Sequence, residues 1–291
     1  MKTLSIIAAL VALIFSHAAA QVTVELALNQ EEFLPGESIP VAVKITNRSG
    51  QQLHLGAEPN WVTFSVEAED GTSVIKNSEV PVMGEFDLES SQMGTKHVDI
   101  APYFSINRPG RYTVTATLRI KAWGVEMNSA PKLFDVIEGA KLWSQDFGVP
   151  AASGIPEMRR FTLEQASYLH DQMRLYMQLS DAAESRIYKT LALGPTVSFT
   201  RPEAQVDRTS QLHVLWQSGA QSFLFCLINT DGAVLNREIY DDFGIRPKLV
   251  VNDNGDVLVV GGVRRPKPGE LPIISPPVEL PGTNSMPAPA K

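Results

Sequence analysis

Histidine is the side chain most often used for general-base and metal chemistry, and this 291-residue sequence contains five. His17 lies near the start, and the others are His54, His97, His170 and His213. None stands four residues from another or beside the cysteine, so the spacing typical of zinc sites is not supported. His213 alternates with Leu212 and Val214, which predicts that its imidazole faces solvent.

Cys226 is the single cysteine, so the chain forms no internal disulfide and depends on packing for its stability. Its thiol would suit a nucleophile or an intermolecular bridge. It lies within the apolar run of residues 223–228, which favours a third interpretation. We predict that Cys226 is a small buried residue of a strand.

Two short segments combine Asn, Asp and Gly in the manner of calcium loops: residues 229–232 and 252–255. Aligning each glycine with the loop glycine of an EF-hand places Leu227 or Val250 at the first ligand position. An apolar side chain does not coordinate a hard cation, so we predict hairpin turns instead.

The usual catalytic motifs are missing from the sequence, which has neither a Gly-x-Ser-x-Gly elbow nor a glycine-rich phosphate loop. Asp241-Asp242 is a pair of adjacent carboxylates, but a glycosidase pair is defined by separation in space. We therefore predict no catalytic residue, no cofactor and no metal site.

Tryptophan remains as a candidate for recognition. Trp123-Gly124 follows a predicted strand and is expected near a hairpin tip, where an exposed indole would suit binding of a protein or a sugar. The alternative is that Trp123 packs against a second domain. Trp143 is predicted to pack between domains, and Trp216 to lie in a core.

The elements that would position these residues include an internal repeat. Arg201-Pro202 is followed by residues 212–215, and Arg246-Pro247 by residues 257–260, with every landmark displaced by 45 residues. A weaker third copy precedes these two, and its landmarks lie 37 residues before those of the next copy. Residues 163–190 also contain many good helix formers, but we favour strands because this copy can be laid over its neighbours.

Repeats of 40–50 residues with several strands are typical of β-propeller blades. Fewer than four copies cannot close a propeller. Three arrangements stay open: a partial, blade-like domain of stacked sheets, which we favour; several chains that complete a ring; or an ordinary sandwich with internal similarity.

Residues 22–137 have a different pattern. Apolar and polar residues alternate along short segments, and turns separate these segments at short intervals. Val41, Val43 and Ile45 form one such series, and the residues from Tyr112 to Ile120 form another. About seven short strands of this kind predict an antiparallel sandwich of immunoglobulin-like size.

The motifs Phe33-Leu34-Pro35-Gly36-Glu37, Trp61 to Asp70-Gly71, and Pro109-Gly110-Arg111-Tyr112 resemble those of exported bacterial Ig-like domains. The same residues are similar, more loosely, to the BsuPI-type proteinase-inhibitor domain. The resemblance covers residues 22–137 and implies an Ig-like fold. It raises proteinase inhibition as one function.

The start of the chain indicates export. Lys2 precedes an apolar segment from Ser5 to Phe15, and Ala18-Ala19-Ala20 has the small residues that signal peptidases read. The apolar segment is short for a membrane span. Removal of residues 1–20 changes the net charge from −7 to −8, since −7 − 1 = −8. An acidic chain without a basic run is not expected to bind nucleic acid or an anionic membrane.

The sequence therefore predicts a mainly β protein in five segments. They are a signal peptide (1–20), an Ig-like sandwich (21–138), a linker (139–156), a blade-like repeat domain (157–263) and a disordered Pro-rich tail (264–291). We expect an exported protein of the periplasm, cell surface or medium. It would bind an unknown protein or glycan as a non-catalytic module, with oligomers if the repeats complete a ring. The alternatives are a proteinase inhibitor and a carbohydrate-active enzyme with carboxylates gathered at one end of the repeat domain.

Overall fold

Alternating apolar residues produce strands throughout the computed structural model, which describes residues 22–150, 154, 156–168, 172–267 and 269–270. The prediction of a mainly β protein is confirmed, and within these ranges every sheet is open. Over the same residues, no helix is long and apolar enough to cross a membrane. The predicted signal peptide and the end of the predicted tail, residues 271–291, lie outside the described residues.

The first half of the chain forms two principal sheets and one small one. The first has the order β1-β3-β7, from Val22–Leu28, Pro40–Asn47 and Met93–Asp99. The second has the order β2-β10-β8-β5, from Glu32–Phe33, Lys132–Val136, Gly110–Ile120 and Val62–Ala68, with β9 (Val125–Asn128) also paired to β8. Strands β4 (Leu53–Leu55) and β6 (Phe86–Leu88) form the small sheet.

One hydrophobic core joins the two principal sheets. Val43 and Ile45 of β3 and Val114 and Leu118 of β8 are fully buried within the same cluster. They alternate with partly exposed or exposed residues along each strand, so each sheet turns one face to the other.

The second half begins with a four-stranded meander, which we call layer 1. It consists of β11 (Ala140–Val149), β12 (Glu157–Tyr168), β13 (Gln172–Asp181) and β14 (Ile187–Pro195), in that order. Within residues 163–168 and 172–190, the prediction of strands rather than a helix is confirmed.

Part of the predicted linker 139–156 is wrong, because β11 runs through it. The pairing of β11 with β12 shifts between Lys141 and Trp143, and this bulge breaks the alternation by which the strand would be recognised. Phe147 of β11 stacks on Phe161 with ring centroids 4.2 Å apart. Trp143 packs against the core of the second half, not between domains.

Two further layers follow. Layer 2 has the order β15-β16-β17-β18-β21, from Glu203–Val206, Leu212–Gln217, Ser222–Ile228, Val234–Asp241 and Val263–Arg264. Layer 3 is the hairpin of β19 (Lys248–Val251) and β20 (Val257–Val260). The hairpin strands start 45 residues after β15 and β16, since 248 − 203 = 45 and 257 − 212 = 45.

The three layers stack face to face. Leu212, Val214 and Trp216 of layer 2 share a core with layer 1 residues such as Met177. The opposite face of layer 2 carries Leu215, Phe223 and Phe225, which pack against Leu249 and Val259 of the hairpin. Layer 2 is therefore covered on both faces, which explains why its strands β16 and β17 are almost entirely apolar.

The predicted tail 264–291 begins later than expected. Arg264 belongs to β21, and its guanidinium lies 2.8 Å from the Glu270 carboxylate. Arg265 donates to the carboxylate of Asp241 on β18. Residues 264 and 265 are thus anchored to layer 2 by strand pairing and ion pairs.

Candidate functional site

The two halves meet at a turn formed by residues 34–37. Its last residue, Glu37, forms an isolated parallel β-bridge with Thr190 of layer 1. Pro35 and Gly36 occupy the two central positions of this turn, which the bond from the Glu37 N–H to the Leu34 carbonyl closes at 3.0 Å. Gly36 has a φ of +75°, as the third position of a type II turn requires. Thr190 of β14 donates its N–H to the Gly36 carbonyl at 3.0 Å, which fixes the turn against layer 1.

Apolar contacts complete this joint. Leu34 of the first half packs with Ala166 and Tyr176 of layer 1, and all three are buried. Glu37 is also buried; it accepts the Leu34 N–H at 2.9 Å and the Gln30 amide at 3.2 Å. Burial raises the pKa of Glu37, although these hydrogen bonds favour its ionised form.

Beside the joint lies a cleft of about 360 Å³. The first half supplies Pro35, Asn107 and Pro109, the connection supplies Glu138 and Gly139, and layer 1 supplies Lys141, Glu164, Gln178, Glu184 and Ile187. We call this the interdomain cleft. Its three carboxylates and its amides make it the polar junction of the two halves.

Glu164 is the central acid of the interdomain cleft. It lies on β12 and is 5% exposed. Among the described residues its carboxylate has no hydrogen-bond or ion-pair partner. Burial raises the pKa of Glu164; the charge of Lys141 opposes the rise, while Glu184 and Glu138 add to it. Neither carboxylate oxygen belongs to the fully buried, unpartnered side-chain atoms of the described residues, so the carboxylate of Glu164 reaches the solvent of the cleft, where a ligand could contact it.

A glycine makes room for this carboxyl. A Cβ atom added to Gly139 would lie 2.7 Å from Glu164 Oε2 and 2.9 Å from its Cβ atom. Any larger residue at position 139 would therefore displace the Glu164 side chain.

Glu184 is engaged in ion pairs on both oxygens. Lys141 Nζ lies 2.5 Å from its Oε2, and Arg160 Nη1 lies 2.8 Å from its Oε1. These hydrogen bonds lower the pKa of Glu184 against the opposing effect of burial. Its charge is thus balanced within the protein, which leaves Glu164 and the exposed Glu138 as the acids open to a ligand.

Chemically, the interdomain cleft suits an organic cation. An ammonium or guanidinium group would satisfy Glu164 by charge-assisted hydrogen bonds, while Gln178 and Asn107 offer amide groups to neighbouring atoms. Within the ranges that the structure describes, no three His, Cys, Asp or Glu side chains are arranged to hold a metal ion.

Trp123, the one residue that the sequence singled out for recognition, is placed elsewhere. It ends a short 3-10 turn after β8, before Gly124 at a φ of +62°. Its side chain is partly buried and packs against the core of the first half. It does not contribute to the interdomain cleft, and its role in recognition stays a prediction.

The prediction that His213 faces solvent is wrong. The residue is 7% exposed, and its ring lies 5.9 Å from that of Phe225 beneath the hairpin of layer 3. Its Nε2 is 3.0 Å from Asp207 Oδ2, and Nδ1 is buried without a partner in the described part of the chain. The prediction failed because a third layer covers the face of the strand that we expected to be exposed to solvent.

The remaining predicted residues occupy structural positions. Cys226 is buried in β17 and Trp216 in β16, as predicted. Asn229 and Asn252 close the two predicted hairpin turns by accepting backbone N–H groups four residues ahead, at 2.7 and 2.8 Å. Asp241 pairs with Arg265 at the edge of layer 2.

Sequence reasoning missed the interdomain cleft altogether. Glu164 lies on the face of β12 opposite Phe161 and Leu163, where an isolated sheet would be exposed to solvent. It is buried because residues distant from β12, such as Pro35 and Gly139, line the cleft with it. The Glu138-Gly139 pair just before β11 is the one local signal, and from sequence it resembles an ordinary turn.

Comparison with known proteins yields little. No family model matches the chain, and no curated protein matches it. Among solved structures, the chain is similar to that of Spo0M, a sporulation control protein from Bacillus subtilis, with a TM-score of 0.31 and 11% identity. The match covers 57% of this chain and 82% of that one. A likeness at this TM-score carries no argument about fold or function.

Proposed function

We propose that this chain is an exported, non-catalytic binding protein of the cell envelope, and that the interdomain cleft receives a lysine or arginine side chain of a protein partner. The observation that carries the proposal is Glu164, a residue only 5% exposed whose carboxylate lines the cleft and has no hydrogen-bond or ion-pair partner among the described residues. A bound cation would form a charge-assisted hydrogen bond with this carboxylate.

We further propose that the binding scaffold consists of an Ig-like sandwich and a blade-like repeat domain. The Ig-like assignment is supported by Tyr112, whose hydroxyl donates to the Arg108 carbonyl at 2.7 Å, as in the tyrosine corner of such domains. The blade-like assignment is supported by the 45-residue spacing between strands of layers 2 and 3.

Titration with a small amine tests the site itself. Calorimetry with n-butylamine should give binding that its uncharged analogue n-butanol does not give. Glu164→Gln should weaken butylamine binding by about 10-fold to 100-fold, the range for loss of a hydrogen bond to a charged group. Glu67→Gln, at an exposed glutamate of β5, is the matched control and should bind as the wild type does.

The pH dependence adds a second test. A cation binds the ionised form of Glu164, and burial raises the pKa of that carboxyl. Affinity for butylamine should therefore rise with pH through the titration of Glu164 and should be flat for Glu164→Gln. Equal affinities of the wild type and Glu164→Gln at all pH values would reject the site.

The partner is tested by retention from an envelope extract. Columns of the wild type and Glu67→Gln should retain a protein that the Glu164→Gln column loses. If the three columns retain the same proteins, the cleft does not recognise a partner, even if it binds an amine.

A second function, hydrolysis of an envelope polysaccharide, is favoured by one observation. The pKa of Glu164 is raised by burial while that of Glu184 is lowered by hydrogen bonds from Lys141 and Arg160, as for the acid and the carboxylate of a glycosidase. Against it, both oxygens of Glu184 are engaged by these cations, which leaves the carboxylate poorly placed to attack. Release of reducing ends by the wild type, and its loss in Glu164→Gln, would establish this function in place of the first.

A further inference from the structure

The outer face of layer 3 is apolar and exposed. Val250 and Leu258 stand directly opposite each other on the two strands of the hairpin and are 45% and 50% exposed. Val260 extends the same face, on which it is paired with Lys248. These four residues form what we call the outer face. Exposed β surfaces of this kind are typical of interaction sites.

The repeat identifies the kind of element that covers such a face. On the inner side of the hairpin, Val259 corresponds to Val214 of layer 2, since 259 − 45 = 214. Each packs against the layer before it. On the outer side, Val260 corresponds to Leu215, since 260 − 45 = 215. Leu215 lies beneath layer 3, so the corresponding face of layer 3 fits another β layer.

Among the described residues, no further layer packs on the outer face of layer 3. At the other end, layer 1 contacts the first half through Leu34 and the Thr190–Gly36 hydrogen bond. A second copy that docks on layer 3 by its own layer 3 therefore completes both stacks at once. The product is a closed pair, because each copy uses the same face of its layer 3 in the contact.

Charge selects the orientation of the two hairpins. The turn carries Asp253, whereas the opposite end of the outer face carries Lys248. Both are exposed, and neither belongs to an ion pair among the described residues. Hairpins stacked with their strands antiparallel place each Lys248 beside the partner's turn, whereas a parallel arrangement places like charges together.

We propose that the protein forms a twofold dimer in which the outer faces of two copies pack together with their hairpins antiparallel. Val250 and Leu258 form the apolar centre, and Lys248 of each copy faces Asp253 of the other. This interface is independent of the interdomain cleft, so it holds whether or not the cleft binds a cation.

Sedimentation velocity over a concentration series, from about 1 to about 200 micromolar, tests the dimer. The wild type should pass from monomer to dimer. The double substitution Val250→Thr with Leu258→Thr should raise the dissociation constant by at least about tenfold, because threonine keeps the strand preference but adds a hydroxyl. Leu235→Thr, at a leucine of β18 that is 53% exposed, is the matched control and should leave the dimer unchanged.

A charge exchange tests the orientation. Lys248→Asp and Asp253→Lys should each weaken the dimer several-fold, and the two together should restore it. Far-ultraviolet circular dichroism and Tm verify that each variant is folded. A wild type that stays monomeric, a dimer unaffected by the threonine pair, or a charge exchange that fails to restore association would each overturn the proposal.

Discussion

Glu164 links the interdomain cleft to stability through its protonation. Its pKa is higher in the folded chain than in the unfolded chain, because burial disfavours the charge. Above the unfolded pKa, the folded state holds a proton that the unfolded state has released, so the free energy of unfolding falls as pH rises through the folded pKa. An ionised Glu164 is thus a stability cost at neutral pH.

Glu164→Gln removes that cost. We expect its Tm to exceed that of the wild type near neutral pH by about 2–4 °C, which is the shift for a gain of about 1 kcal/mol in a chain of this size. The difference should disappear below the ordinary pKa of a glutamate, where both side chains are neutral. Glu67→Gln is the control in the same pH series of thermal melts. A difference that does not depend on pH would contradict the assignment of the effect to ionisation.

Single residues were predictable from sequence where only the local strand decides their environment. Cys226 and Trp216 lie in apolar strands and are buried, as predicted. His213 was wrongly predicted and Glu164 was not singled out, for a shared reason: each lies on the polar-looking face of its strand, and a distant segment covers that face. Burial of this kind depends on tertiary packing, which alternation along one strand does not reveal.

Among the elements, the turn of residues 34–37 has the largest structural role for its length. Its Gly36 has a φ of +75°, and a Cβ atom there would lie 2.5 Å from Ile187 Cγ2 of β14. Gly71 has nearly the same φ, +78°, but faces open space. Substitutions at the two glycines share the backbone strain of a left-handed residue, but only a substitution at Gly36 adds a steric clash at the joint. Comparing them therefore distinguishes the two costs.

Gly71→Ala should lower the free energy of unfolding by about 1 kcal/mol, through backbone strain alone. Gly36→Ala should cost about 1–3 kcal/mol more, because it also forces Ile187 away. Urea denaturation measures both. Ile187→Ala should cancel much of the added cost in combination with Gly36→Ala. Equal losses in Gly36→Ala and Gly71→Ala would show that the turn does not press on layer 1.

The elements themselves were largely readable from sequence. Alternation predicted the strands, and the Asn-Gly and Asp-Gly segments marked the two hairpin turns. Strand β11 was not predicted, because the bulge at Lys141 and Trp143 interrupts its period-2 pattern. The turn at residues 34–37 was recognised as a turn, but nothing in its residues indicated that it docks on layer 1.

At the scale of the whole molecule, the joint determines whether the two halves unfold together. Leu34 is 2% exposed and packs with Ala166 and Tyr176 across the joint. This apolar cluster and the hydrogen bond from Thr190 to Gly36 connect the first half to layer 1. We therefore expect one cooperative transition for the described halves of the wild type in differential scanning calorimetry.

Leu34→Ala should uncouple them. Removal of a buried leucine side chain costs about 2–5 kcal/mol, and here the loss falls on the contact between the halves, not on either core. The calorimetric trace should separate into two transitions, with butylamine binding weakened because the interdomain cleft needs both halves in place. Leu133→Ala, at an exposed leucine of β10, is the control and should keep one transition. Two transitions already present in the wild type would mean that the joint is too weak to hold the cleft, and would remove the structural basis for binding there.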